Sequence, residues 1–409
     1  MQGPDSRPTT THGVWSAAVA KKRRPDSATG DLFSPRPEAE NELLPIPEAI
    51  SELPAGSDVA SFLPEVAPPP ASERRAPASP SLYYDSPYRE FEHSGGIHLV
   101  DSILWCDSDR KQDLAFISHA HADYVGKNRR ILATDKTVKI LTRGTGRIEA
   151  LTSPYKRSFT LGTLELEMHP AGHVLGSAQL LIVRNGRRLV YTSDPCTRNT
   201  ATAETGAPVP CDVLVVPATY GLPRYRFPPH EEVFAQIRKF IDDCLEDRAT
   251  PVLIANQIGT SQELMVVLGK AGYRLRVHRS IFDVAKVYRD LGVAMPNSRR
   301  FQGSPAKDEV VLFPPILRKH ASIRKLRKFK TALITGRAVD EGFVLRNRVE
   351  AAFPLSDCVD HAELLAFIEG TGASEIYLSD GYVQELSQEL RDRGKRVYPL
   401  QAPKQLALF

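Results

Sequence analysis

Residues 118–124 read Ser-His-Ala-His-Ala-Asp-Tyr and follow the apolar run Leu-Ala-Phe-Ile at 114–117. In an extended segment, side chains two positions apart point to the same side, so His119 and His121 can both reach one metal ion. The apolar run predicts a buried strand, which places the two imidazoles at a strand end. Asp123, two residues further on, could bind a second ion or orient a water molecule.

The composition is that of an ordinary globular protein, with 42% hydrophobic and 25% charged residues in a chain of 409. The net charge of +4 is small for this length, so overall charge alone does not indicate a nucleic-acid partner. Five scattered cysteines without a CxxC pair favour a reducing cytoplasm over a disulfide framework or a zinc ribbon. We expect no secretory signal, and in the absence of a run of 18 apolar residues we expect no membrane span.

The amino-acid composition and the hydrophobic pattern of the chain change near residue 86. The segment before it is rich in proline, serine, alanine and glutamate, which predicts a disordered tail. After it come short strands separated by turns such as Asn185-Gly186. Helices and strands then alternate, for example a helix over 230–243 and a buried strand over 251–255. This order indicates a β-rich domain, an inserted α/β domain and a return to the first domain.

Two further segments carry candidate ligands. His173 lies in a glycine-containing loop just before a predicted strand, and Asp194 closely follows the apolar run at 189–191. Together with His119 and His121 they would offer one ion three nitrogens and one oxygen. That donor set suits zinc, with one position left for water.

These motifs resemble those of metallo-β-lactamase-fold nucleases of the β-CASP group, which include bacterial ligase-associated DNA exonucleases and mRNA 3′-end processing nucleases. The resemblance covers about residues 90–400 and is carried by the segments 117–123, 171–179, 219–223, 228–234 and 355–357. It implies an α/β fold, an αββα sandwich with an inserted α/β cap. The corresponding division is a disordered tail at 1–86, a first part of the sandwich at 87–221, the cap at 222–332, the return of the sandwich at 333–402 and a C-terminal tail at 403–409.

The resemblance also implies roles for individual residues. Enzymes of this group use two metal ions that activate water and polarise the scissile phosphate. His119, His121 and His173 stand at the positions of the ligands to the first ion. Asp194 stands at the position of the bridging carboxylate, and Asp123 at that of a ligand to the second ion, so both are candidate catalytic residues.

Several positions depart from the family's pattern, among them Gly259-Thr260-Ser261-Gln262, where a basic residue usually follows the glycine. Tyr124 and Asp380 replace histidines of the second metal site, and Pro217 stands where an acid is expected. Cys358 replaces a histidine thought to assist the leaving group, and it is more typical of a small loop residue than of a ligand. Asp380 keeps the capacity to bind a cation, whereas a tyrosine with a pKa of about 10 is a poor ligand. We therefore predict one intact zinc site and a damaged second site.

Two functions remain open at this point. The first is a metal-dependent hydrolase of phosphodiester bonds, specifically a DNA exonuclease in repair. The second is a catalytically inactive nucleic-acid-binding homologue that acts as a scaffold in a repair or RNA-processing complex. The family resemblance favours the first, and the replaced residues leave its activity open. The metal content of the purified protein would separate the two.

Two surface features predict macromolecular partners. A basic cluster between residues 318 and 330 would contact nucleic-acid phosphates, with DNA favoured over RNA, the alternative being a solvated helix face. Its members are Lys319, Arg324, Lys325, Arg327 and Lys328. The C-terminal residues Gln405, Leu406, Leu408 and Phe409 resemble the QLxLF peptide that binds the bacterial sliding clamp, the alternative being a frayed tail. The resemblance also implies association with a DNA ligase.

Overall fold

The computed structural model describes residues 90–121, 128–143 and 148–400. The predicted N-terminal tail at 1–86 and the clamp-like residues 405–409 lie outside the described residues. Within the described part of the chain, no helix is long and apolar enough to cross a membrane.

The first sheet has six strands in sequential order. They are β1 (Phe91–His93), β2 (Ile97–Leu99), β3 (Leu104–Cys106), β4 (Leu114–Phe116), β5 (Arg130–Ala133) and β6 (Ala150–Thr152). The first three strands pair antiparallel, and β3 to β6 pair in parallel. The segment that carries His119 and His121 therefore leaves the carboxyl end of β4, a strand in the middle of this sheet.

The second sheet has seven strands, namely β7 (Phe159–Leu161), β8 (Leu164–Pro170), β9 (Ala178–Arg184), β10 (Arg187–Tyr191), β11 (Val213–Ala218), β18 (Glu375–Gly381) and β19 (Arg396–Pro399). Their order across the sheet is β19-β18-β11-β10-β9-β8-β7. The neighbours β10, β11, β18 and β19 run in parallel. Because parallel strands end at the same edge of a sheet, residues that follow β10, β11 and β18 meet there.

The strands of the third sheet are β12 (Thr250–Ile254), β13 (Arg274–Val277), β14 (Ser298–Arg300), β15 (Glu309–Phe313), β16 (Phe329–Ile334) and β17 (Ala351–Phe353). All of them run in parallel, in the order β14-β13-β15-β12-β16-β17. The predicted cap boundary at residue 332 lies inside β16, and the sheet continues to Phe353. The division of the chain into domains stays a prediction.

Eight α-helices cover the sheets in the described part of the chain. They are α1 (Asp135–Thr142), α2 (His230–Glu246), α3 (Thr260–Lys270), α4 (Arg279–Asp290), α5 (Ala321–Arg324), α6 (Glu341–Asn347), α7 (His361–Thr371) and α8 (Val383–Asp392). The helix predicted over 230–243 and the strand predicted over 251–255 correspond to α2 and β12.

The two faces of the second sheet are both buried, against different partners. In β11, Val213 and Val215 pack into the core shared with the first sheet, whereas Leu214 and Val216 pack against α7 and α8. Successive strand residues point to opposite faces, so a continuous apolar run such as 213–216 fills both cores. The other face of the first sheet packs against α1 and the helices of the third sheet. The protein therefore has the predicted α/β architecture, with two facing sheets between helical layers.

The predicted Asn-Gly turn joins β9 to β10. Asn185 has φ of 50° and Gly186 has φ of 76°. Two consecutive residues with positive φ are typical of the tight hairpin turn whose twist matches that of the flanking strands. This hairpin places β10, and with it Asp194, in register beside the strand that follows the His173 loop.

Candidate metal centre

Three histidines converge where the two facing sheets end. The Nε2 atom of His119 lies 3.0 Å from Nδ1 of His121, and Nε2 of His173 lies 3.2 Å from the same atom. Zinc–nitrogen bonds of about 2.0–2.1 Å at tetrahedral angles would separate two ligand nitrogens by about 3.3–3.4 Å. The two observed separations are a few tenths of an ångström shorter than two edges of such a tetrahedron, and the ligand atoms of all three residues lie within 4.8 Å of one another, so these side chains can converge on a single metal ion.

The electrostatic environment keeps two of these rings neutral. Burial lowers the pKa of His119 well below its usual value, and the neighbouring His121 and His173 lower it further. Burial and then the charge of His173 also lower the pKa of His121. A neutral imidazole carries a lone pair on one nitrogen, which is the form that binds a metal.

The outward-facing nitrogens of the three rings all have hydrogen-bond partners. Nδ1 of His119 lies 2.9 Å from Oγ of Ser118 and 3.1 Å from Oγ of Ser193. Nε2 of His121 lies 3.3 Å from the carbonyl oxygen of Ile258. Nδ1 of His173 lies 3.0 Å from the carbonyl oxygen of Asp357. A carbonyl can only accept, so in His121 and His173 the outward nitrogen donates and the lone pair faces the centre.

Asp194 comes to the same centre from the second sheet. It follows β10, and its Oδ1 accepts a hydrogen bond of 2.6 Å from Thr219 Oγ1, which follows the neighbouring strand β11. Ligand atoms of His173, Asp194 and Cys358 all lie within 4.8 Å of one another. This second group shares His173 with the three-histidine group, so the two candidate ion positions are adjacent.

Cys358 lies at the centre, although the sequence analysis interpreted it as a small loop residue and not as a ligand. Its Sγ is 3.6 Å from Nδ1 of His173. Burial raises the pKa of this thiol well above its usual value, and the carboxylates of Asp194 and Asp357 raise it further. Without an ion the thiol is therefore protonated, and a bound metal would have to displace that proton.

The structure leaves the two further predicted ligands of the second ion, Asp123 and Asp380, as predictions. Asp123, with its neighbour Tyr124, lies outside the described residues. Asp380 is in β18 next to its end, with φ of 48°, and it is absent from both groups of candidate ligands among the described residues. Desolvation raises the pKa of its carboxyl group, and the charge of Asp194 raises it further. Its role as a ligand stays a prediction.

The loop that carries Asp357 joins the centre to the third sheet's helices. Oδ2 of Asp357 accepts hydrogen bonds from the backbone nitrogen and Oγ1 of Thr260, at 3.2 and 3.0 Å, at the start of α3. A side chain on Gly259 would collide with this carboxylate, since a Cβ there would lie 2.3 Å from Oδ2. Both this carboxylate and the Ile258 carbonyl therefore tie the region before α3 to the histidines.

An arginine holds the same loop from its other side. The guanidinium of Arg198 donates to the carbonyl oxygens of Ser356 and Cys358, and to the carboxylate of Glu363 at 2.6 Å. Sequence analysis did not single out Arg198 or Ile258, and it included Asp357 only in the segment 355–357, without a role of its own. Backbone carbonyls are present at every residue, so no sequence signal marks the ones that orient a histidine.

A buried carboxylate supports the end of β4. Asp107 accepts hydrogen bonds from the backbone nitrogen of Ser118 at 2.8 Å and from the hydroxyl of Tyr191 at 2.9 Å. Burial raises its pKa to about 7, although these hydrogen bonds favour the charged form. Asp107 thereby links β10 of the second sheet to the residue that precedes His119.

The predicted basic cluster lies on the surface around α5, far along the chain from the histidines. Lys319, Arg324, Lys325 and Arg327 are exposed, and among the described residues none of these four forms an ion pair with a carboxylate. Lys328 donates to the carbonyl oxygen of Asp247 at 2.7 Å. Four cations are thus available to an external anion.

Comparison with known proteins identifies relatives with nuclease and ligase names, although no family model matches the chain. It is 32% identical over 322 residues to a probable DNA ligase of Opitutus terrae, a match that covers 78% of this chain and 32% of that protein. It is 25% identical over 187 residues to an RNase J-like protein of Methanocaldococcus jannaschii, covering 39% and 44% of the two chains. It is 31% identical over 124 residues to endoribonuclease YSH1 of Gibberella zeae, covering 30% and 14%. In each case the match spans less than half of the relative's own length.

Proposed function

Since the chain belongs to the metallo-β-lactamase/β-CASP nuclease family, we propose that it is a metal-dependent phosphodiester hydrolase, specifically a cytoplasmic DNA exonuclease that acts in repair. The observation that carries this proposal is the convergence of His119, His121 and His173 on one point, with Asp194 brought to the same centre from the other sheet. A metal site of this composition can activate water and polarise a phosphodiester for hydrolysis.

Each residue of the metal centre has its own proposed role. The three histidines would hold one zinc ion, and Asp194 would complete its ligands and offer an oxygen to a second ion beside Cys358. A bound divalent ion lowers the pKa of water and polarises a phosphoryl oxygen. Thr219 fixes the orientation of the Asp194 carboxylate, and the carbonyls of Ile258 and Asp357 fix the tautomers of two histidines.

A second candidate function is a catalytically inactive nucleic-acid-binding scaffold. Specific observations favour it, namely the replacements at Pro217, Cys358 and Asp380. Cys358 is a protonated thiol in the apo protein, and Asp380 stands apart from the candidate ligand groups in the described residues. One tightly bound ion would then serve structure more than chemistry, and turnover would be weak or absent compared with a family member whose second site is intact.

Elemental analysis of the purified chain, combined with a cleavage assay, separates these functions. Two ions per chain and processive shortening of end-labelled DNA support the exonuclease, and shortening of RNA in place of DNA would correct the substrate. No bound ion and no cleavage in zinc or manganese support the scaffold. With a single ion, the cleavage assay decides between them.

The basic cluster predicts a salt-dependent affinity for nucleic acid. Replacing Arg324, Lys325, Arg327 and Lys328 with glutamine should flatten the slope of log affinity against log salt, because each phosphate contact contributes about 0.7–0.9 to that slope. Fluorescence anisotropy of a labelled oligonucleotide at several salt concentrations measures it.

A matched control removes the same number of charges elsewhere. Four cations that already pair with carboxylates serve this purpose: Lys239, Arg279, Lys286 and Arg393. If both quadruple variants change the slope equally, then only net charge matters and the cluster is not the contact surface.

The C-terminal residues predict a protein partner, and we propose that they bind a bacterial sliding clamp. A DNA ligase is a further proposed partner. Burial of a large apolar side chain contributes about 1.5–3 kcal/mol, so Leu408→Ala with Phe409→Ala should abolish a micromolar interaction with the clamp. Isothermal titration with purified clamp measures this, and Ala407→Ser, a change between the anchors, should bind as the wild type does. The proposal is lost if a peptide of residues 403–409 shows no binding.

A further inference from the structure

A cluster of aromatic side chains adjoins the candidate metal centre. Tyr220, Tyr225 and Cys358 are buried together, and further side chains pack around them, including Phe227 and Tyr382. Cys358 also belongs to the candidate ligand group with His173 and Asp194. The aromatic cluster and the metal centre are therefore continuous.

Arg224 lies on the outer side of this cluster. Its guanidinium carbon is 5.8 Å from the ring centroid of Tyr225 and 5.9 Å from that of Tyr382. The two tyrosines are joined by a hydrogen bond of 2.7 Å between their hydroxyls. The side chain of Arg224 is exposed, and among the described residues it pairs with no carboxylate. The guanidinium of an exposed arginine thus lies at cation–π distance over two linked rings.

The backbone of this platform is tied to the residues that hold Asp194. The amide of Tyr382 donates to the carbonyl oxygen of Ala218 at 2.9 Å. The next residue, Thr219, donates to Asp194 at 2.6 Å. Arg224 and Asp194 are therefore positioned by the same edge of the second sheet.

A second exposed arginine follows a residue that contacts the aromatic cluster. Arg337 is also exposed, and Gly336, which precedes it, packs against the rings of Tyr220 and Phe227. The carboxylate of Asp340 lies close enough to act on Tyr225, and it accepts from the backbone nitrogen of Phe343 at the start of α6. An arginine that lies on aromatic rings can stack on an unpaired base and donate hydrogen bonds to its phosphate.

We propose that Arg224, held on Tyr225 and Tyr382, binds a nucleotide of single-stranded nucleic acid next to the metal centre. The inference rests on the proposed function, because it identifies the strand state of that same site's substrate. The base stacks on the open face of the guanidinium, and the guanidinium edge donates to a phosphate. A base inside a duplex has no face available for this stacking, so the site selects single strands.

Binding to metal-free protein tests this without any hydrolysis. Single-stranded DNA and RNA oligonucleotides carrying one 2-aminopurine, a base whose fluorescence falls on stacking, are titrated with the EDTA-treated full chain. We expect quenching with the wild type. Arg224→Gln should lower the affinity about tenfold and remove the quenching. Arg226→Gln, which removes the same charge two residues away, should keep both within about twofold.

Further variants distinguish stacking from charge and from misfolding. Arg224→Lys retains the charge but not the plane, so it should bind with intermediate affinity and without quenching. Thermal unfolding and zinc content should be unchanged in all three variants. Quenching with DNA, RNA or both supports the inference. Equal behaviour of Arg224→Gln and Arg226→Gln overturns it, and so does Arg224-dependent binding of a duplex with equal strength.

The inference and the hydrolase proposal can fail separately. Arg224-dependent quenching without cleavage by the metal-loaded protein supports the nucleotide site and contradicts the hydrolase. Cleavage that proceeds with the same KM and kcat in Arg224→Gln, with unchanged binding, supports the hydrolase and contradicts the nucleotide site.

Discussion

His121→Ala should release the tightly bound metal ion. Nδ1 of His121 lies 3.0 and 3.2 Å from the facing nitrogens of His119 and His173, so its removal takes away one of the three histidine ligands and leaves the site incomplete. Loss of a residue that only orients a ligand typically costs 10–100-fold in metal affinity, and loss of the ligand itself should cost at least about 100-fold. Elemental analysis after gel filtration measures the effect.

Stability provides an independent readout of the same change. An ion that binds only the folded state stabilises it by about 4 kcal/mol at a concentration 1,000 times its dissociation constant. EDTA should therefore lower the melting temperature of the wild type but leave that of His121→Ala unchanged. His169→Ala is the matched control, because His169 pairs with Glu167 at 3.0 Å outside the centre. Unchanged metal content in His121→Ala would show that the site is elsewhere.

Asp194→Asn should reduce phosphodiester hydrolysis by at least about 100-fold. The substitution keeps the size of the side chain and its capacity to accept from Thr219, but it removes the negative charge that a metal ion or an activated water requires. The loss should appear in kcat, measured on labelled oligonucleotides with zinc or manganese. The affinity for nucleic acid in EDTA should stay the same, because the contacts proposed for binding are arginines and lysines.

Asp212→Asn is the control for this variant. Asp212 directly precedes β11 and accepts from the backbone nitrogen of Arg188 at 2.8 Å, near the start of β10, whereas Asp194 follows the end of that strand. Both variants should fold, and only Asp194→Asn should lose activity. Robust cleavage by the wild type that Asp194→Asn abolishes would contradict the inactive scaffold. Cleavage that survives Asp194→Asn would place the chemistry elsewhere.

The elements of the fold were predictable where local pattern and burial agree. The apolar run at 213–216 is a strand with both faces buried, and the Asn-Gly pair at 185–186 is a tight hairpin. The family assignment is supported by the relatives, and it could be made from the sequence because its motifs are short and lie at strand ends. The extent of the third sheet was harder to predict from the sequence. Its last strand, Ala351–Phe353, is three residues long, and such a short segment carries little periodicity.

By itself the sequence determined which residue types are available for a metal site and that they follow strands. His119 and His121 lie two positions apart, so their shared direction is a property of the extended chain. Only the tertiary structure decided which distant residues join them. Cys358 lies 185 positions from His173 and still contacts it, and the carbonyl of Ile258 orients His121 across 137 positions. Local chain geometry determines the first kind of contact, whereas the packing of the two sheets and the α3 loop determines the second, and a carbonyl common to all residues leaves no mark in the sequence.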